Sequence, residues 1–158
     1  MRKVNIPNYG TITIKNVIFD VNGTLQFIGK ISEDLVVKFN ELKKFYDIYL
    51  VSSDIRGNLK ELAEKLGVKY IKVNPEGKTE AEAKNEVLSQ LGKDTTAAVG
   101  NGNNDALMLK NAVIGIAIIG SEGATLKSVL NSDVVVPSPL NAIDFLLDEK
   151  IMIGTLRS

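Results

Sequence analysis

A carboxylate stands at the end of a short apolar run near the start of the chain. Val17, Ile18 and Phe19 lead directly into Asp20, and Asn22-Gly23-Thr24 follows. This pattern predicts a buried strand that presents one acid at its carboxyl end, after which a glycine turn leaves the sheet. Ligands bind at that edge of open α/β sheets, so Asp20 is a candidate for chemistry. The alternative is an aspartate that only hydrogen-bonds its own turn.

Polar side chains also follow two later strands. The predicted strand at 47–51 ends in Ser52-Ser53-Asp54. The strand at 95–99 runs into Gly100-Asn101-Gly102-Asn103-Asn104-Asp105. Because the carboxyl ends of parallel strands meet at one edge, these groups are expected to lie near Asp20. Ser52 is equally compatible with a hydroxyl that bonds local backbone, and Asp54 with the cap of the next helix.

One lysine on a predicted helix is expected to lie close to these polar groups. Lys84 shares a helical face with Val87, Leu88 and Leu91, so its ammonium is expected to point inward. Lys78, in the loop before that helix, is the rival. The ordinary alternative for either is a solvated surface lysine.

Composition narrows the chemistry further. The 158 residues include no cysteine and no histidine, which excludes thiolate nucleophiles, disulfides and histidine-based acid–base catalysis. Asp, Glu, Lys, Ser, Thr, Tyr and backbone groups remain, with an oxygen-ligated cation where one is needed. The net charge is zero, so no electrostatic footprint for nucleic acid or an anionic membrane is present.

The hydrophobic pattern does not predict a membrane span. The longest apolar run, 112–120, is far shorter than the roughly 20 residues that a spanning helix needs. No basic and then apolar leader opens the chain, so a cytoplasmic location is expected.

Strands alternate with helices along the whole chain, which predicts an α/β fold with a doubly wound, mostly parallel sheet in a single domain, 1–158. A small N-terminal β-hairpin is predicted around Pro7–Gly10, and a short flap at 26–30. Ser32, Ser121 and the pair Thr79 and Glu82 are predicted helix caps. The tail from Ile151 shows no clear pattern.

In order and spacing, these groups resemble the four motifs of the haloacid dehalogenase (HAD) superfamily of phosphatases and phosphoryl-transfer enzymes. The resemblance covers nearly the whole chain and is strongest to a capless, soluble P-type-ATPase-like branch. The hairpin and the stretches GNGNNDALML, IGSEGA and TLRS carry that finer likeness. It implies a Rossmann-like core without a cap domain.

The resemblance also implies roles. Asp20 would be the nucleophile that becomes an aspartyl phosphate, with Lys84 neutralising charge. Mg²⁺ would be held by Asp20, the backbone carbonyl of Asn22, Asn101 and Asp105. The phosphoryl oxygens would be bound by Thr24, Ser52 (or Ser53) and loop amides such as that of Gly102.

Two positions depart from the family pattern. Asn22 stands where most members have the aspartate that acts as general acid and base, and an amide cannot exchange a proton near neutral pH. Asn101 replaces a usual metal-binding aspartate, so Mg²⁺ binding is expected to be weak. The P-type ATPases also lack the first acid, so phosphoryl transfer stays compatible with Asn22.

The sequence therefore favours a slow, Mg²⁺-dependent phosphatase or phosphotransferase. The alternative is a non-catalytic relative that binds phosphate or a protein partner. Too few residues separate Thr24 from Ser52 for a sizeable cap, so the site is expected to be open. A large substrate, a protein partner or a second copy of the chain could complete it, and the phosphorylated substrate itself stays unidentified.

Overall fold

The computed structural model describes residues 1–25 and 31–158, so the predicted flap at 26–30 lies outside the described residues. The first half of the chain forms β1 (Arg2–Ile6), β2 (Gly10–Ile14), β3 (Asn16–Phe19), α1 (Glu33–Leu42), β4 (Asp47–Ser52), α2 (Leu59–Leu66) and β5 (Lys69–Lys72). The second half forms α3 (Glu80–Leu91), a short 3₁₀ turn (Lys93–Thr95), β6 (Thr96–Gly100), α4 (Ala106–Asn111), β7 (Ile114–Ile118), α5 (Leu126–Leu130), β8 (Val134–Val136), α6 (Pro139–Leu147) and α7 (Glu149–Leu156).

A six-stranded sheet in the order β5-β4-β3-β6-β7-β8 forms the centre, and every neighbouring pair in it is parallel. The first two strands form a separate antiparallel hairpin, as predicted. The chain builds outward from β3 in one direction and then returns to add β6 on its other side. That reversal opens a crevice at the carboxyl end of β3, where ligands bind in such sheets.

Both faces of the sheet are covered by apolar side chains. Successive residues of a strand point to opposite faces. Val17 and Phe19 therefore pack in one cluster, where the Phe19 and Phe39 rings lie 5.0 Å apart. Ile18 packs in the other cluster, with Leu88 of α3 and Met108 of α4. This two-sided burial explains why Val17–Phe19 of β3 are all apolar, and it holds the residue that follows the strand firmly in place.

Local signals set most helix boundaries. The Ser32 hydroxyl caps α1, and Thr79 and Glu82 form a reciprocal capping box at α3, both as predicted. The prediction that Ser121 caps a helix is wrong, because α5 begins four residues later, where the Thr125 hydroxyl accepts the Ser128 amide. The tail, which showed no clear pattern, forms α7, capped by Asp148.

The fold leaves the crevice uncovered in the part of the chain that the structure describes. Between β3 and β4 the only described element is α1, so no cap domain is present among these residues. No described helix has the length and apolar character to cross a bilayer.

Candidate active site

The site lies where β3 and β6 end side by side. Phe19 pairs with Val99 in the sheet, and the Asp20 amide donates to the Val99 carbonyl at 2.9 Å. Asp20 therefore follows one central strand while Asn101 follows its neighbour. Ser52, the last residue of β4, is buried on the other side of β3. The parallel sheet thus brings three of the predicted groups to one edge.

Lys84 enters this edge from α3 and is completely buried. Its Nζ donates to Asp20 Oδ1 at 2.6 Å and to Asp105 Oδ1 at 2.8 Å. Glu80, one turn earlier on the same helix, lies 3.6 Å from the ammonium. Lys78, the rival lysine, instead pairs with Glu86 at the surface. The structure therefore joins Lys84, and not Lys78, to Asp20.

The cluster of Lys84, Asp20 and Asp105 holds more acidic than basic groups, since one ammonium pairs with two buried carboxylates. Burial by itself lowers the pKa of Lys84, but the charges of Asp20 and Asp105 outweigh it and hold that pKa above its usual value. Burial, added to the charge of Asp105, raises the pKa of Asp20 from 3.8 to about 7 despite the opposing effect of Lys84. Lys84 therefore stays protonated. A further positive charge beside the two carboxylates would be electrostatically favourable.

Oxygen atoms converge beside this pair on the hydroxyl of Thr24. Thr24 Oγ1 lies 3.1 Å from Asp20 Oδ2 and 3.3 Å from Asn101 Oδ1. One hydroxyl carries one proton, so it can satisfy only one of these acceptors fully at a time. Carboxylate and amide oxygens at such a point fit a hard cation such as Mg²⁺. These oxygens carry little negative charge, and the described residues hold no group of three or more Asp, Glu, His or Cys side chains arranged to bind a metal ion.

Asn22 lies in the turn between Asp20 and Thr24 and is half-buried. Its Oδ1 is buried and has no hydrogen-bond partner among the residues that the structure describes. A buried polar atom without a partner is costly, which marks this position as one that a further group can satisfy.

Asp105 is fully engaged within the protein. Its Oδ2 accepts the backbone amides of Asn101 and Gly102, each at 3.0 Å, while Oδ1 accepts from Lys84. A side chain at Gly100 would place its Cβ 2.5 Å from the Asp105 carboxyl carbon, so only glycine fits there. In the structure the Gly102 amide donates to Asp105, whereas the sequence suggested that it would bind a phosphoryl group.

Ser52, at the end of β4, has a local hydrogen bond, and Ser53 follows it. Ser52 Oγ accepts the Asp54 amide at 3.0 Å, which leaves its own proton to donate. Ser53 is half-buried beside it. Asp54 has a positive φ of 59°, and its Oδ1 accepts the Leu59 amide at the start of α2 at 2.9 Å. Asp54 is thus a helix-capping residue, one of the two interpretations that the sequence allowed.

A segment missed from the sequence holds Asn101 in place, and we call residues 122–128 the clamp. Asn101 Nδ2 donates to the Gly123 carbonyl at 3.0 Å, which turns Oδ1 toward Thr24. The Asn101 carbonyl accepts the Thr125 amide and the Ser128 hydroxyl, each at 2.9 Å. The Ser128 side chain is fully buried. The stretch IGSEGA marks the beginning of this segment, but nothing local in it reveals a contact with Asn101.

The clamp predicts that an aspartate does not fit at position 101. Asn101→Asp replaces a donor with an oxygen that faces the Gly123 carbonyl, and it adds a third acid to the cluster. We expect the metal-free protein to lose about 1–3 kcal/mol of unfolding free energy, measured by urea denaturation in a chelator. Asn103→Asp, at an exposed position in the same loop, is the control and should change stability by less than about 0.5 kcal/mol. Equal stability of the two variants would contradict the amide orientation described above.

The match to a family model decides the classification. Residues 29–112, more than half of the chain, match the model for haloacid dehalogenase-like hydrolases. The chain belongs to the HAD-like hydrolase family. The matched range contains Ser52, Lys84, Asn101 and Asp105, and it begins after Asp20. Asp20 lies outside that range, and the structure places it in contact with Lys84 and Thr24.

Two further proteins are similar in sequence to parts of this chain. An uncharacterized protein of Methanocaldococcus jannaschii is 46% identical over 83 residues, covering 50% of this chain and 89% of that protein. The chloroplastic copper-transporting ATPase PAA1 of Arabidopsis thaliana is 33% identical over 102 residues, which cover 63% of this HAD chain. Those residues are only 11% of the ATPase, so the likeness concerns one part of a much larger protein.

A solved structure shows the same fold. The 3-deoxy-D-manno-octulosonate 8-phosphate phosphatase of Moraxella catarrhalis, crystallised with magnesium, phosphate and KDO, superposes with a TM-score of 0.69 at 16% identity. The superposition covers 91% of this chain and 94% of the phosphatase. At this identity it establishes the shared HAD core and not a shared substrate.

Proposed function

We propose that this HAD protein is a Mg²⁺-dependent phosphohydrolase or phosphotransferase that forms an aspartyl phosphate on Asp20. The observation that carries the proposal is the completely buried Lys84, which holds Asp20 and Asp105 at 2.6 and 2.8 Å at the carboxyl edge of the sheet. Structural lysines are rarely buried in this way. Here burial keeps a cation beside a carboxylate that has to approach a phosphoryl anion.

The first step follows from the properties of Asp20. A carboxylate oxygen of Asp20 attacks the phosphorus atom, and the bond between phosphorus and the ester oxygen breaks, so the leaving group departs with the electron pair. Lys84 offsets part of the negative charge that accumulates, since its ammonium is fixed in place before the substrate arrives. The Ser52 hydroxyl, whose proton is not used by Asp54, is available to donate to a phosphoryl oxygen.

The residues that would hold Mg²⁺ are Asp20, the backbone carbonyl of Asn22 and Asn101. Asp20 Oδ2 and Asn101 Oδ1 both lie within 3.3 Å of the Thr24 hydroxyl and so line one position. Asp105, expected from the sequence as a fourth ligand, is better explained as the residue that holds the loop and Lys84. When bound, the cation would supply positive charge to a phosphoryl oxygen. With so few acids, we expect binding to be weak.

Slow turnover is part of the proposal. Asn22 cannot protonate a leaving group, and general acid catalysis is worth about 10²–10⁴-fold in rate. The crevice is uncovered among the described residues, which agrees with a large phosphorylated substrate, with a protein partner or with a second copy of the chain over the site. We also propose a cytoplasmic location, with no nucleic-acid or membrane contacts.

Turnover of an activated aryl phosphate tests the proposal. p-Nitrophenyl phosphate needs little protonation of its leaving group, so the wild type should hydrolyse it in the presence of Mg²⁺. Asp20→Asn should reduce the rate to background, while Asp94→Asn, at an exposed position of the 3₁₀ turn, should retain it. Equal rates for the wild type and Asp20→Asn would reject the enzyme and favour a non-catalytic relative that binds phosphate or a protein partner.

A further inference from the structure

A carboxylate of the IGSEGA stretch, to which the sequence assigned no role, lies over the turn after Asp20. Glu122 is exposed in the loop between β7 and α5. Its Oε2 lies 2.7 Å from the point that a Cβ at Gly23 would occupy, and Asn101 Nδ2 lies 2.5 Å from the same point. The Glu122 carboxylate and the Asn101 amide therefore share the space that any side chain at position 23 would fill.

Gly23 is suited to this arrangement in two ways. Its φ of +75° is a conformation that residues with side chains rarely adopt, and its missing Cβ admits Glu122. The residue lies between Asn22 and Thr24, and Thr24 donates to Asp20 Oδ2. The Glu122 carboxylate is thus placed over the turn that directly follows Asp20.

The clamp fixes the loop that carries Glu122. Its neighbour Gly123 accepts from Asn101 Nδ2 at 3.0 Å, and Thr125 donates to the Asn101 carbonyl at 2.9 Å. The backbone on the C-terminal side of Glu122 is therefore tied to the same residue that lines the cation position. A carboxylate positioned in this way costs little further ordering when it acts in the site.

Glu122 also differs from the other acids of the site in being uncommitted. Asp20 and Asp105 are hydrogen-bonded to Lys84, and Glu80 lies 3.6 Å from it. Within residues 1–25 and 31–158, Glu122 takes part in no hydrogen bond or ion pair. A carboxylate can accept a proton, which the Asn22 amide cannot do near neutral pH.

We propose that Glu122 is the general base for hydrolysis of the aspartyl phosphate, an inference that rests on the proposed function. A water molecule attacks the phosphorus atom, and its proton passes to the Glu122 carboxylate. The bond between phosphorus and the Asp20 oxygen breaks, and its electron pair returns to the Asp20 carboxylate. Inorganic phosphate and free Asp20 result, and Glu122 then releases the proton to solvent. Glu122 thus supplies in this second step the proton transfer that Asn22 cannot.

The lifetime of the phosphoenzyme tests this role. Wild type, Glu122→Gln and the control Glu61→Gln, an exposed position on α2, are mixed with p-nitrophenyl phosphate and Mg²⁺ and quenched at intervals. The burst of p-nitrophenol reports formation of the phosphoenzyme, and intact-mass measurement reports its decay. We expect Glu122→Gln to keep the burst but to slow decay by about 10²-fold or more, with Glu61→Gln behaving as wild type. Adding Asn22→Asp to Glu122→Gln should restore most of the decay rate.

Three other outcomes of this experiment would each lead to a different conclusion. Decay in Glu122→Gln at the wild-type rate would overturn the role of Glu122 while leaving the phosphoenzyme intact. A variant whose only change is the Mg²⁺ concentration needed for half-maximal rate would make Glu122 a metal ligand and reject it as the base. If neither the wild type nor Glu122→Gln forms a phosphoenzyme, both this role and the proposed function are rejected.

Discussion

Replacing Lys84 by methionine is expected to destabilise the metal-free protein by about 3–5 kcal/mol, a large share of the stability of an ordinary domain. The side chain is completely buried, and its removal leaves Asp20 and Asp105 without a cation. Urea denaturation measures the loss. Since burial already raises the pKa of Asp20 to about 7 with Lys84 present, the variant should favour protonated carboxyl groups still more strongly. The folded variant is therefore more stable at low pH, where these carboxyl groups are protonated, and it loses stability as the pH rises. The loss of unfolding free energy relative to the wild type should be larger at about pH 8 than at about pH 5.

Two controls separate charge from packing. Lys78→Met removes a lysine whose partner Glu86 is half exposed, so it should cost less than about 1 kcal/mol. Adding Asp20→Asn to Lys84→Met removes one of the uncompensated anions and should recover part of the lost stability. If Lys84→Met is no less stable than Lys78→Met at about pH 8, the buried ion pair contributes little and the electrostatic description of the site is wrong.

Asn22→Asp is expected to raise the turnover of alkyl phosphates by about 10²–10⁴-fold. Alkoxide leaving groups need a proton as the ester bond breaks, and an aspartic acid at this position could donate one. The buried Asn22 Oδ1 without a partner among the described residues indicates a hydrogen-bonding position that the turn leaves open. Steady-state kcat for an alkyl phosphate and for p-nitrophenyl phosphate gives the comparison.

The dependence on the leaving group is the discriminating result. Hydrolysis of p-nitrophenyl phosphate should change much less than that of the alkyl ester, because p-nitrophenolate leaves without a proton. The double variant with Asp20→Asn should be inactive on both substrates. A uniform increase for both substrates would show that Asn22 does not act at the leaving group.

Much of the fold is predictable because its signals are local. The run from Val17 to Phe19 is apolar at every position since β3 is buried on both faces, and helical segments with clear caps separate the strands. The start of α5 was mispredicted because Ser121 and Thr125 are both good capping residues. A tertiary contact, the Thr125 amide donating to the Asn101 carbonyl, accompanies the cap that the chain adopts.

Only part of the site is predictable from the sequence, because some of its contacts join residues that are far apart along the chain. Lys84 could be placed from sequence because it interrupts the apolar face formed by Val87 and Leu88, so its direction follows from the helical period. The contacts of Asn101 with Gly123 and Ser128 join residues 22 and 27 positions apart, and no spacing rule predicts them. Glu122 was missed for the same reason, since its importance comes from the space left at Gly23.

A crystal grown with Mg²⁺ and soaked with beryllium fluoride tests the central claim most directly, because this group mimics a phosphoryl group on a carboxylate. We expect beryllium fluoride bonded to a carboxylate oxygen of Asp20, with Lys84 Nζ beside it and Asn101 Oδ1 turned toward the cation. Beryllium fluoride bound elsewhere, or an Asp20 carboxylate left unmodified under saturating conditions, would contradict the proposal that Asp20 is the nucleophile.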